Sequence, residues 1–106
     1  MMTIEKIEQE IKTNGAVLLY FSGENCGVCK ALRPKIESAF TVNFPKIKQI
    51  FINANEYPKI AAHFSIFTVP SILIYFDTKE IKRESRHISV SQLVQSIKRP
   101  YELFFH

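Results

Sequence analysis

Ala16-Val17-Leu18-Leu19-Tyr20-Phe21-Ser22-Gly23-Glu24-Asn25-Cys26-Gly27-Val28-Cys29-Lys30 is the stretch on which the reading of this 106-residue chain turns. Its first six residues form an unbroken apolar run of strand length, the pattern of a strand buried on both faces. Ser22 to Asn25 are loop-forming residues, and a helical pattern opens near Cys26. Apolar positions then recur at Ala31, Leu32, Ile36, Ala39 and Phe40. They continue past Pro34, so the proline is expected to kink this helix without ending it. Both cysteines of the chain therefore fall at the start of a helix that follows a buried strand.

That position has chemical consequences. Residues three apart share a helical face with Cβ atoms about 5–6 Å apart, close enough for a disulfide after small adjustments. A helix N-terminus offers unpaired N–H groups and partial positive charge, which favour the thiolate of the first cysteine, Cys26. Lys30 and Arg33 add positive charge nearby, and Glu24 opposes it. Cys29, one turn further in, is expected to be more buried and less ionised. The division of labour is then Cys26 attacking a disulfide and Cys29 resolving the mixed disulfide. Three other readings compete. Structural zinc takes four ligands, and His63, His87 and His106 have no ligand-like spacing to add to one cysteine pair. A structural disulfide across so short a loop contributes little stability. Two ordinary buried cysteines that happen to lie three apart are the third.

Outward from this segment, Ile4, Ile7 and Ile11 recur at helical spacing, with Thr3 as N-cap and Asn14-Gly15 as the stop. After the cysteine helix come a strand over 47–52, a turn at Asn53-Ala54-Asn55, and a short helix over 57–64 with Pro58 in its first turn. Val69-Pro70 precedes a strand over 71–76. The turn Asp77-Thr78-Lys79-Glu80 leads to an alternating strand over 81–88, suited to an antiparallel edge. Ser89 and Gln92 have capping-box spacing and open a last helix with Leu93, Val94 and Ile97 inward. The order αβαβαββα implies an α/β fold in one domain spanning residues 1–106. Its mixed sheet of about four strands, parallel and then an antiparallel hairpin, carries helices on both faces.

Composition is ordinary for a globular protein, and a domain of this length needs no disulfide or metal to stay folded. The net charge is +4, but Lys and Arg alternate with acids, as in Lys79-Glu80-Ile81-Lys82-Arg83-Glu84. The charge reads as a solvated surface, with no stripe for nucleic acid. The N-terminus carries acids early and lacks an apolar signal core, and no apolar run approaches membrane-spanning length. A cytoplasmic location is expected, where a C-x-x-C pair is catalytic or metal-binding more often than structural.

Residues Val17 to Phe40, with their buried strand, loop, C-G-V-C-K and Pro34, resemble the active-site segment of thioredoxins. Phe67-Thr68-Val69-Pro70-Ser71 before an apolar strand is a second match, and the similarity runs from about Ala16 to Ile97. The family's extra N-terminal strand is missing. The resemblance implies a thioredoxin-like fold in which Pro70 is cis and faces the cysteines. It implies Cys26 as nucleophile and Cys29 as resolving thiol, with Gly27, Val28, Val69 and Pro70 forming the substrate groove. The backbone of Val69 would pair with an extended peptide of the bound protein. There are departures. The family's usual W-C-G-P-C reads Asn25-Cys26-Gly27-Val28-Cys29, which removes an aromatic rim and restores a backbone N–H. Tyr20 stands where the family often has a buried aspartate, and Phe51 where the paired lysine falls. The pocket beneath Cys29 is therefore expected to be apolar, and resolution slow at neutral pH.

Tyr20 and Phe51 are otherwise expected as plain core residues, ahead of a proton-relay role for the Tyr20 hydroxyl. Glu24 is expected as a loop charge, ahead of a base acting through water, and His63 and His87 as surface or edge residues, ahead of a catalytic role. After Pro100, taken as helix-breaking, Tyr101, Leu103, Phe104 and Phe105 form an aromatic tail over 100–106. It either folds back on the sheet or makes a dimer or partner contact.

The function expected is a small thiol–disulfide oxidoreductase that reduces protein disulfides. By resemblance, its electrons would come through a separate flavoprotein thioredoxin reductase. Nothing in the chain binds nicotinamide or flavin, since Gly15, Gly23 and Gly27 form no dinucleotide fingerprint. The only redox group expected is the Cys26–Cys29 disulfide, with no bound cofactor, metal, nucleic acid or membrane. The alternative is a thioredoxin-fold binding, accessory or redox-sensing protein with little general reductase activity.

Overall fold

The computed structural model describes every residue from Met1 to His106. The first helix, α1 (Ile4–Thr13), starts because the Thr3 hydroxyl accepts the Lys6 N–H at 3.1 Å, and it buries Ile7 and Ile11. β1 (Ala16–Ser22) is the apolar run, buried along almost its whole length. Next come α2 (Gly27–Asn43), β2 (Lys48–Asn53), α3 (Pro58–His63), β3 (Ser71–Phe76), β4 (Lys79–Ser85) and α4 (Val90–Phe104). The sheet order is β2-β1-β3-β4, with β1 parallel to β2 and the remaining pairs antiparallel.

Because β1 and β3 are central, each strand splits its side chains between two cores by simple alternation. Ala16, Leu18 and Tyr20 from β1, with Ile72, Ile74 and Phe76 from β3, face α2 and α4. Val17, Leu19 and Phe21, with Leu73, face α1 and α3. A sheet wrapped on both faces explains why β1 shows no alternation in its sequence. No helix is long and apolar enough to cross a membrane.

Three sequence expectations are corrected. The hairpin turn is Asp77-Thr78 alone, with φ of 52° and 68°, so β4 begins at Lys79 and ends at Ser85, two residues before and three before the expected limits. Phe51 is only half-buried and is not a plain core residue. Pro100 does not break the last helix, which continues to Phe104.

The aromatic tail packs back on the sheet. Tyr101 meets Phe44 with tilted rings whose centroids are 5.0 Å apart, and Phe104 and Phe105 meet Phe76 at 5.6 and 6.2 Å. The Tyr101 hydroxyl also accepts the Lys46 N–H at 3.1 Å. Gly15 lies under this closure, where a Cβ would come 2.9 Å from the Phe104 ring and push it outward. Leu103 and part of Phe104 stay exposed.

Candidate functional site

The site forms where the C-terminal end of β1 meets the start of α2. Cys26 is the N-cap of α2, with extended backbone, and its sulfur accepts the Cys29 N–H at 3.2 Å. A helix N-terminus holds several N–H groups without partners, so a sulfur in this place is met by donors and by the positive end of the helix dipole. Cys26 and Cys29 are joined as a disulfide, their Cα atoms 5.3 Å apart. Cys26 is partly open to solvent, whereas Cys29 is only 2% exposed.

The loop before Cys26 is held by close packing. The Asn55 side chain accepts the Glu24 N–H at 2.7 Å, and the Ala54 N–H donates to the Ser22 carbonyl at 2.7 Å. Gly23 lies between Asn55 and Val69. A Cβ at Gly23 would come within 2.8 Å of the Asn55 carboxamide oxygen and 3.1 Å of the Val69 methyl, so a side chain there would have to displace the Asn55 carboxamide from the Glu24 N–H. This contact ties the cysteine loop to the segment preceding β3.

That segment contributes Val69 and Pro70, joined by a cis peptide. Pro70 is buried and Val69 half-buried. The Val69 N–H and carbonyl make no hydrogen bond within the chain. The Ser71 hydroxyl donates to the Thr68 carbonyl at 2.7 Å and steadies the bend. Cys26, Gly27, Val28, Val69 and Pro70 share one groove, and Val28 is well exposed. Cys29 is not on this groove. It lines a second, more polar pocket with Ser22, Asn53, Lys30 and Arg33.

Beneath Cys29, Tyr20 is fully buried and its hydroxyl donates to the Cys29 carbonyl at 2.7 Å. Burial raises the Tyr20 phenol above its ordinary value and Arg33 pulls it partly back, so it remains a donor at neutral pH. Tyr20 meets Phe51 with centroids 5.7 Å apart, as their opposite placement on β1 and β2 requires. The Arg33 guanidinium lies 4.1 Å from the Phe51 ring centroid. The expected apolar surround of Cys29 is thus found in the core beneath it, at Tyr20 and Phe51, and not in the pocket it lines. In that pocket Lys30 and Arg33 bring positive charge and Glu24 opposes it.

Sequence reading missed two features. Tyr20, read as a plain core residue, reaches the backbone of the second cysteine. Its hydroxyl in an otherwise apolar strand was the available signal, since buried hydroxyls need partners. Arg86 and His87, from the loop between β4 and α4, line the same groove as Cys26. No local pattern marks them. Glu24 is a loop charge on that groove, and His63 lies away from it, 3.5 Å from Glu8 on α1.

Comparisons with known proteins agree with this geometry. The thioredoxin family model matches residues 1–99. The chain is 37% identical over 102 residues to a thioredoxin-like protein, YdfQ, of Bacillus subtilis, covering 96% of this chain and 90% of that protein. It is 31% identical to thioredoxin of Chlamydia trachomatis over 70 residues, 66% of this chain and 68% of that one. Among solved structures, thioredoxin 1 of Thermosipho africanus superposes with a TM-score of 0.75 at 36% identity. The match covers 85% of this chain and 99% of that one.

Proposed function

The chain belongs to the thioredoxin family and is a thiol–disulfide oxidoreductase, and from that premise we propose that it reduces disulfides of other proteins through Cys26 and Cys29. The reading rests on one observation: a closed cysteine pair at a helix N-terminus with its first sulfur open and its second covered.

The reaction begins with the reduced pair. The Cys26 thiolate attacks one sulfur of a substrate disulfide, and the other substrate sulfur leaves as a thiolate that takes a proton. A mixed disulfide joins Cys26 to the substrate. Cys29, deprotonated, then attacks the Cys26 sulfur and releases the second substrate thiol. Two electrons have passed to the substrate and the Cys26–Cys29 disulfide has formed. The short Cα separation supports this closure without rearrangement.

Substrate binding is assigned to Gly27, Val28, Val69 and Pro70. The unpartnered N–H and carbonyl of Val69 support this, since an extended peptide laid beside them gains main-chain hydrogen bonds without a sequence requirement. In the second step Lys30 and Arg33 lie in the pocket that Cys29 lines, with Glu24 opposing their charge. The proposed setting is the cytosol, with a flavoprotein reductase returning the disulfide to the dithiol at the expense of NADPH.

Insulin reduction tests the reading. The native chain, supplied with dithiothreitol, should precipitate the insulin B chain faster than dithiothreitol alone. Cys26→Ser should abolish the gain, and Cys29→Ser should accumulate a mixed disulfide. A native chain with no gain, or a Cys26→Ser chain that retains it, overturns the proposal. Inertness with a freely reversible disulfide would instead indicate a docking or sensing protein.

A further inference from the structure

One charged residue on the Cys26 groove has no role in the reaction as written. Arg86 follows β4 directly and has φ of 62°, a left-handed conformation that bulky L residues rarely adopt. Such strain persists only where surrounding structure enforces it. Here the enforcement is visible. The Arg86 N–H donates to the Pro70 carbonyl at 3.0 Å, and its own carbonyl accepts the Ile88 N–H at 3.0 Å. The loop is thereby stapled to the backbone immediately after Val69, the proposed pairing strand for substrate.

The side chain held in this way is exposed, and its guanidinium makes no hydrogen bond or ion pair within the chain. Arg83, on β4, is also exposed but has partners. It forms a two-pronged bond to Glu80 at 2.9 Å and also donates to the carbonyls of Phe64 and Ser65. Arg33 lies on Phe51. Arg86 is the arginine that lines the groove of the attacking cysteine with its charge unused. A free guanidinium is a planar fork matched to a carboxylate. The groove's acid, Glu24, comes from the opposite partner loop before Cys26, so the groove has one negative and one positive contributor from different elements.

We propose that Arg86 is a specificity-determining residue that selects protein disulfides with an acidic side chain beside the attacked cysteine. The occupant is an extended substrate segment. Its backbone lies along Val69, and a Glu or Asp next to its cysteine meets the Arg86 guanidinium. This rests on the function proposed above and narrows its substrate class.

Short peptides with one internal disulfide and Glu, Gln or Lys beside the first cysteine test it, each mixed with the reduced chain in stopped flow. At low salt the native chain should reduce the Glu peptide about fivefold faster than the Lys peptide, the size expected for one partly solvated charge pair. The ratio should approach one at high salt, where such pairs are screened. Asn and Asp tolerate a left-handed backbone, so Arg86→Asn and Arg86→Asp should fold. Arg86→Asn should bring the Glu-to-Lys ratio close to one or below it, and Arg86→Asp should invert it. A native ratio near one, or a ratio unchanged in either variant, overturns the assignment. Failure of the native chain to reduce even the Gln peptide would instead remove the reductase reading, so the two failures are distinguishable.

Discussion

Replacing Tyr20 by Phe removes one oxygen and leaves the ring in place, which isolates the bond between β1 and the second cysteine. The hydroxyl is buried and donates to the Cys29 carbonyl at 2.7 Å. Its loss strips a donor from a carbonyl that water does not reach. A hydrogen bond of this kind contributes about 0.5–1.5 kcal/mol net, so a loss of about 1 kcal/mol is expected. For a domain of this length that corresponds to a fall in Tm of about 5 °C. The ring contact with Phe51, at 5.7 Å between centroids, is preserved, so packing adds little. Tyr20→Ala provides the contrast. It also empties a large core site and should cost about 3–5 kcal/mol. Urea unfolding of the reduced and oxidised chains measures both variants. Because the acceptor is a backbone carbonyl, Tyr20→Phe should destabilise the two redox forms alike. A Tyr20→Phe chain as stable as the native one would refute the claim that this hydroxyl fastens the helix start to the strand. A loss as large as that of Tyr20→Ala would refute it as well.

Two further predictions concern stability. Burial, with Glu80 acting in the same direction, pushes the Tyr75 phenol up to about 12 from an ordinary value of 10.0. The folded chain thus holds this proton more tightly than the unfolded one. The associated stability is whole below pH 10.0 and is lost as pH rises through about 12. The urea midpoint should therefore fall steeply across that window, and less steeply in Tyr75→Phe; parallel profiles would exclude Tyr75 as a cause. Truncation after Arg99 removes Tyr101, Phe104 and Phe105 from Phe44 and Phe76 and should cost about 3 kcal/mol or more. A loss below about 1 kcal/mol in urea unfolding would show that the tail does not complete the core.

The strands and helices were legible because burial leaves its period in the sequence. Ala16 to Phe21 are apolar at every position since both faces of β1 are covered. The Thr3, Cys26 and Ser89 helix starts follow from which side chains can accept an N–H. The hairpin turn was misplaced because Asp77 and Thr78 both take positive φ, a conformation usually signalled by Asn-Gly. Pro100 was misread because its local cost, about 3 kcal/mol, was weighed without the tertiary gain. Leu93, Ile97, Tyr101 and Phe105 form one stripe at four-residue spacing, and burying it carries the helix through the proline. The cysteine pair was legible from spacing and position. Its surroundings were only partly so. Arg86 and His87 lie some sixty residues from Cys26 in the chain, and only the β4–α4 connection brings them to the groove.

Alkylation of the fully reduced chain at pH 7, with each cysteine followed separately by peptide mass, tests the central claim most directly. Cys26, partly open at the positive end of α2, should be modified at least about tenfold faster than the 2%-exposed Cys29. Equal rates, or Cys29 reacting first, would contradict the assignment of attack to the first sulfur and resolution to the second.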